Sequence, residues 1–114
     1  MTRRGGQREK REVENKILER FGCRSDMVVV PVNVGAAVFG TQLVRFMRKG
    51  FADLLFLIEG GRTLFVECKT KVGRQSKDQK RFERIVSDLG FVYILARSPE
   101  DVARALSEHF NIEE

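Results

Sequence analysis

The sequence predicts an α/β fold in which a mixed β-sheet is flanked by helices, in the order α-β-β-β-α-β-α. Two apolar runs, residues 54–58 and 62–68, flank a Glu-Gly-Gly-Arg turn and are typical of a β-hairpin. Three other segments carry apolar residues at helical spacing. A short β-rich segment, residues 91–96, lies between the last two of them. Together these observations indicate one domain over residues 11–114.

The first half of the chain contains one predicted helix and one predicted strand before the hairpin. Residues 1–10 are basic and are expected to form a mobile arm. The helix, residues 11–22, is predicted by four apolar side chains at helical spacing: Val13, Ile17, Leu18 and Phe21. Residues 27–32 are β-branched and predict a strand, which Pro31 places at a sheet edge. Residues 33–50 are punctuated by glycine and receive no firm assignment.

Two helices with a strand between them are predicted after the hairpin. Ser76 and Gln79 match a capping box, so a helix begins there and stops at Gly90. Its inward side chains are Phe82, Ile85, Val86 and Leu89. A strand follows at residues 91–96, and Pro99 stands at the first position of the last helix. The inward side chains of that helix are Val102, Leu106 and Phe110.

The length of the hairpin loop decides which side chains share a face of the sheet. A two-residue loop, 60–61, would place Asp53 and Glu67 on opposite faces, whereas a three-residue loop, 59–61, pairs them. Three-residue loops favour a glycine in the left-handed region, and Gly61 stands at that position. The sequence therefore predicts the three-residue loop.

Two carboxylates and a lysine, Asp53, Glu67 and Lys69, stand at the ends of the hairpin strands. Because residues two apart on a strand share a face, Glu67 and Lys69 point the same way and Cys68 points into the core. An acid pair that can hold a divalent cation, with a lysine beside it, is what metal-assisted phosphodiester hydrolysis requires. Taken alone, each residue is better explained as a strand-end charge or a weak surface ion pair. The combination points to a nuclease.

Glu14 and Gln79 are two further candidates for the site. Glu14 lies on the apolar stripe of the first helix, where a carboxylate is costly unless it is paired or metal-bound. The alternative is that Glu14 only borders the core and extends to water. Gln79 faces the sheet from the first turn of its helix, and its capping-box role already explains it. His109, the only histidine, is interpreted as structural or exposed.

Basic residues surround the acidic hairpin. The chain has 21 Lys and Arg against 16 Asp and Glu, a net charge of +5. This arrangement suits a polyanion held over a cation site, although a solvated basic surface is the alternative. The candidate nucleic-acid-binding residues are Arg45, Arg48, Lys49, Lys71, Arg74, Lys77 and Lys80.

Composition indicates a cytoplasmic protein. No apolar run approaches the ~20 residues that span a bilayer, so no membrane partner is expected. The basic N-terminus is followed by no apolar segment and is not a secretory signal. The two cysteines, Cys23 and Cys68, are too few for a disulfide framework and are expected to be reduced thiols.

Five segments carry a family resemblance: residues 33–36, 50–53, 65–70, 73–79 and 90–98. Through them the chain resembles a small stand-alone VRR-NUC domain of the PD-(D/E)XK nuclease superfamily. It is similar to phage and bacterial Holliday-junction-resolvase-like nucleases. The likeness covers residues 12–110, and one departure is Ala52, where the family often has proline.

The resemblance implies a restriction-endonuclease-like core and a set of residue roles. Asp53, Glu67 and the main-chain carbonyl of Cys68 would hold Mg²⁺ or Mn²⁺, with Glu14 joining through the first helix. Lys69 would position or help to activate the attacking water and steady the charge on the phosphate. Gln79 would orient the site.

The expected activity is metal-dependent DNA endonuclease cleavage that selects branched structures such as four-way junctions or flaps. The resemblance also implies a homodimer, for which apolar residues in 38–47 are the expected interface. The alternative is a non-catalytic module that uses a nuclease fold to bind nucleic acid.

Overall fold

The computed structural model describes residues 2–32, 36–45 and 48–114, and the side chains of 6–32, 38–43 and 48–114. The elements are α1 (Thr2–Phe21), β1 (Met27–Pro31), β2 (Ala36–Phe39), β3 (Gln42–Arg45), β4 (Leu54–Ile58), β5 (Arg62–Cys68), α2 (Lys77–Asp88), β6 (Val92–Ala96) and α3 (Pro99–Phe110). Four strands form one sheet in the order β1-β4-β5-β6, and β2 and β3 form a separate hairpin. The predicted fold class is confirmed, with this extra hairpin in the region that had no assignment.

The hairpin of β4 and β5 has the predicted register. Ile58 pairs with Arg62 across the three-residue loop. Gly60 and Gly61 have φ values of 86° and 73°, a region in which glycine carries no steric penalty. The last pair of the ladder is Leu54 with Val66. One step farther, Asp53 stands opposite Glu67.

The sheet is mixed because β6 runs parallel to β5, whereas β1 and β5 both run antiparallel to β4. Helix α2 forms the crossover between β5 and β6. Strand β1 lies at one edge, as Pro31 predicts, because the missing amide hydrogen of proline is tolerated there. The central position of β5 leaves residues 64–68 buried.

Helices cover both faces of the sheet. On one face α1 and α3 close a core that includes Ile17, Phe21, Phe56 and Leu106. On the other face α2 packs through an aromatic cluster: Phe51, Phe65, Phe82 and Tyr93. Ring pairs in tilted and edge-on arrangements add to the stability from apolar burial. This cluster fixes α2 against β5 through the Phe65–Phe82 ring pair.

Two features of the helices differ from the sequence predictions. Helix α1 begins at Thr2, so its predicted start at residue 11 is wrong and residues 2–10 continue the helix. Leu89 is 70% exposed, because α2 ends at Asp88 and Leu89 turns outward as its C-cap. None of the helices in the described ranges is long and apolar enough to cross a membrane.

The loop before β4 touches the first turn of α2 at Gly50. A Cβ atom at Gly50 would lie 2.3 Å from the Asp78 carbonyl oxygen, and φ there is +85°. Gly40 has a similar φ of +64° but open space around it. Substitutions at Gly40 and Gly50 therefore distinguish the effect of backbone strain alone from the effect of strain combined with a steric clash.

We expect Gly50→Ala to lower the free energy of unfolding by about 2 kcal/mol more than Gly40→Ala, because only the first adds overpacking to strain of about 1 kcal/mol. Urea denaturation of both variants measures the difference. Equal losses would show that the loop can move away from α2 without cost.

Candidate active site

Four elements bring the candidate residues to one end of the sheet. Asp53 precedes β4, Glu67 lies in β5, and Lys69 follows it. Gln79 stands in the first turn of α2. Glu14 approaches from α1, where ligand atoms of Glu14, Asp53 and Cys68 all lie within 4.8 Å of one another. Of the competing N-terminal glutamates, Glu14 is thus the one beside Asp53.

Asp53 is tied to the backbone of the neighbouring strand. The Cys68 amide donates a hydrogen bond of 2.8 Å to Asp53 Oδ2. Since the amide and carbonyl of one strand residue point to the same side, the Cys68 carbonyl also faces the side of Asp53. The Cys68 thiol is buried in the core, and burial raises its pKa. A neutral thiol is a poor ligand for Mg²⁺, so the carbonyl is the better donor at this residue.

Glu67 is a fully buried carboxyl group at the centre of the site. Its Oε2 atom accepts a hydrogen bond of 2.9 Å from Gln79 and lies 3.5 Å from Lys69 Nζ. Its buried Oε1 atom has no hydrogen-bond partner in the described part of the chain. Burial, followed by a hydrogen bond with Asp53 and by the charge of Asp53, raises the pKa of Glu67 to about 8. Glu67 therefore keeps its proton to a higher pH than an exposed glutamate does.

Gln79 serves the helix and the site through different ends of one amide. Its Oε1 atom accepts a hydrogen bond of 2.8 Å from the Ser76 amide, which completes the predicted capping box with Ser76 Oγ. Its Nε2 atom donates to Glu67 Oε2. The cap fixes which end of the amide faces the acid, so the site always meets a donor there.

Lys10 is a site residue that the sequence analysis missed. Its ammonium group lies 3.1 Å from Asp53 Oδ1 and 3.6 Å from Glu67 Oε2. Burial lowers the pKa of Lys10, but the charges of Asp53 and Glu67 outweigh burial and raise it. The available signal is spacing, because Lys10 stands one helical turn before Glu14.

The site has the donors that a hard divalent cation requires. The Glu14 and Asp53 carboxylates lie within 4.8 Å of each other, Glu67 faces Asp53 across the hairpin, and the Cys68 carbonyl lies on the side of Asp53. Burial and the charge of Asp53 raise the pKa of Glu14, as expected where several carboxylates crowd together. The unpartnered Glu67 Oε1 leaves a buried acceptor to be satisfied. These residues therefore fit a cation such as Mg²⁺ or Mn²⁺.

A basic groove adjoins the acids. It has a volume of about 450 Å³, runs between α1 and the loop after β5, and is lined by Lys10, Lys69 and Arg74 among others. Arg97 holds this loop by donating hydrogen bonds to the main-chain oxygens of Thr70 and Gly73, the second at 2.9 Å. The loop is thus a fixed wall of the groove.

The other predicted nucleic-acid-binding residues whose side chains are described lie outside this groove, and two of them are on α2. Lys77 and Lys80 line a hollow on α2 together with Arg81 and Arg84. Lys71 and Arg48 are exposed, and Lys49 pairs with Asp78 at 3.2 Å. The side chain of Arg45 lies outside the described residues, as do residues 33–35 of the first resemblance segment.

We expect Gln79→Ala to lower the free energy of unfolding by about 1 kcal/mol through loss of the cap. It should also raise the pKa of Glu67, because the buried carboxylate loses a donor. Ser76→Ala is the matched control, since it weakens the same cap and leaves the Glu67 contact in place. Urea denaturation measures the first effect, and carbon NMR of the Glu67 carboxyl measures the second. An identical Glu67 pKa in both variants would contradict the dual role.

Glu67 should make the metal-free protein less stable as pH rises from 4.5 to about 8. In this window the unfolded chain has released the Glu67 proton while the folded chain retains it, so rising pH favours unfolding. Glu67→Gln does not titrate and is the reference. Urea denaturation in EDTA across this window should show wild type losing stability relative to Glu67→Gln. A constant difference would mean that the pKa is not raised.

The comparisons with known proteins agree with this architecture. No protein-family model matches the sequence, and no curated protein matches it significantly. A solved structure described as "VRR_NUC domain" superposes with a TM-score of 0.66 at 20% sequence identity. The match covers 89% of this chain and 97% of that one. The chain therefore shares the fold of a VRR_NUC domain, which confirms the resemblance predicted from its sequence.

Proposed function

We propose that this chain is a metal-dependent DNA endonuclease that hydrolyses phosphodiester bonds. The observation that carries the proposal is the buried Glu67, which faces Asp53 and keeps one oxygen without a partner in the described residues. A buried acid pair of this kind is costly unless it binds a cation. The VRR_NUC fold, shared with a solved domain, supports the nuclease class.

Asp53 and Glu67 are the proposed cation ligands, joined by the Cys68 carbonyl and Glu14. A divalent cation held there supplies charge neutralisation at the phosphate and lowers the pKa of a bound water. Lys69 lies on the solvent side of Glu67, with 13% of its side chain exposed. From there Lys69 orients the attacking water and steadies the charge that develops on the phosphate. Gln79 holds Glu67 in place.

DNA is the proposed partner, bound through its phosphates. The basic groove leads to the acids, and the hollow on α2 extends the positive surface. Arginine and lysine contacts with phosphates position DNA without reading its sequence. The proposed substrates are accordingly branched forms, such as four-way junctions or flaps, that differ from duplex DNA in shape.

A homodimer is proposed for such substrates. The hairpin of β2 and β3 exposes 66% of Val38, 61% of Phe39 and 61% of Leu43. Exposed apolar side chains that lie together are typical of association surfaces. A two-fold dimer would place two sites on a two-fold junction.

A non-catalytic nucleic-acid-binding module is the second candidate function. One observation favours it: the Lys10 ammonium lies between Asp53 and Glu67, where a cation ligand set would otherwise be open. In this alternative the lysine replaces the cation permanently, and the basic surfaces bind DNA without cleavage.

Cleavage of end-labelled four-way junction, flap, duplex and single strand, with Mg²⁺, Mn²⁺ or EDTA, tests the proposed function. We expect Asp53→Asn and Lys69→Ala to lower the cleavage rate by about a hundredfold or more, because each removes charge that acts on the transition state. Asp88→Asn and Lys16→Ala are matched controls on exposed helix positions and should cleave normally. DNA binding without cleavage of any substrate would favour the second candidate function.

A further inference from the structure

Lys10 is placed on the acids by the first helix. Lys10 and Glu14 are one turn apart on α1, so both point to the same end of the sheet. The Lys10 ammonium contacts an oxygen of Asp53 at 3.1 Å and an oxygen of Glu67 at 3.6 Å. It thereby bridges the two strands of the hairpin with a single positive charge.

The bridging position suits a counter-ion. Glu67 has no exposed surface and only 11% of the Asp53 side chain is exposed, so water screens their repulsion poorly. A nearby ammonium group lowers the cost of keeping both acids ionised. A divalent cation would use the same oxygens, and two positive charges at such short range repel each other strongly.

The adjoining groove gives Lys10 a second position. Lys10 lines this groove with Lys69 and Arg74, and 30% of its side chain is exposed. A lysine carries its charge on a flexible four-carbon stem. The ammonium group can therefore leave the acids for the groove without any movement of α1. In the groove it would add to the charges that face a DNA phosphate.

We propose that Lys10 is an exchangeable counter-ion, which offsets the negative charge of the Asp53–Glu67 pair before a divalent cation binds and moves into the groove to contact the DNA phosphate afterwards. This inference rests on the proposed function, because it requires the cation site. It differs from the second candidate function in that Lys10 yields its place to the cation.

Calorimetric titration of the full chain with Mg²⁺ tests the competition. The titrations are done at about pH 9, where Glu67 is mostly deprotonated, so that proton release from Glu67 contributes little to the measured Mg²⁺ affinity. We expect Lys10→Met to bind Mg²⁺ with a Kd roughly threefold to tenfold lower than wild type, because no charge must be displaced. Lys16→Met makes the same change at an exposed position of the same helix and should match wild type. Thermal unfolding of both variants verifies that they fold.

Acetylation of the wild-type chain tests the exchange without any substitution. The amine reactivity of Lys10, measured by mass spectrometry relative to Lys16, should rise several-fold when Ca²⁺ or Mg²⁺ replaces EDTA. Addition of four-way junction DNA to the Ca²⁺-loaded protein should then protect Lys10 again. An unchanged Lys10 reactivity in all three conditions would overturn the exchange.

The outcomes separate this inference from the proposed function. Equal Mg²⁺ affinity of wild type and Lys10→Met, with binding lost in Asp53→Asn, would overturn the role of Lys10 and leave the cation site standing. Absence of Mg²⁺ binding in wild type and Lys10→Met alike would overturn both. Mg²⁺ binding by Lys10→Met but not by wild type would show that Lys10 is not displaced by the cation. That result would overturn the exchange and favour the non-catalytic module.

Discussion

The pairing of Asp53 with Glu67 is the constraint on which the rest of the site depends. The three-residue loop sets the register of β4 and β5, and this register brings the two acids opposite each other just past the end of the ladder. A slip by one residue would send one acid to the other face of the sheet. Local turn chemistry, through Gly60 and Gly61, thus controls the placement of charges about seven residues away on each strand.

The cost of this pairing explains what surrounds it. Two carboxyl groups beside the core need hydrogen-bond donors and nearby positive charge. Three different elements provide them. The Cys68 amide and the Gln79 side chain donate hydrogen bonds, and Lys10 and Lys69 supply charge. The aromatic cluster packs α2, the helix that carries Gln79, against the sheet. Packing far from the acids therefore determines how well they are compensated.

Features that depend on a few neighbouring residues could be predicted from the sequence. The hairpin register, the capping box at Ser76 and the edge position of β1 follow from turn, cap and proline chemistry, and all three are confirmed. The fold class and its likeness to a VRR_NUC domain are confirmed as well. The placement of Glu14 beside Asp53 agrees with the expected helical stripe, and the catalytic roles of these residues stay predictions.

Lys10 shows why the remainder could not be predicted. Gly5 and Gly6 disfavour a helix locally, so the sequence indicates an arm where α1 in fact continues. Packing of α1 against the sheet overrides that propensity and carries Lys10 to the acids. The hairpin of β2 and β3 could not be predicted for a different reason. Its strands have four residues each and meet near Gly40, so the alternation of apolar and polar residues is too short to identify them.

The double use of Gln79 has a consequence for which sequences can carry this site. A capping box accepts glutamate or glutamine at its fourth position, since either side chain presents an oxygen to the cap. Here the other end of the same group must donate to a buried acid, and glutamate would place a third carboxylate against it. The helix cap alone accepts glutamate or glutamine at position 79, whereas the cap together with the contact to Glu67 accepts only glutamine. Ser-x-x-Gln after a Glu-x-Lys strand end is therefore a more selective search pattern for such sites than the acidic residues by themselves.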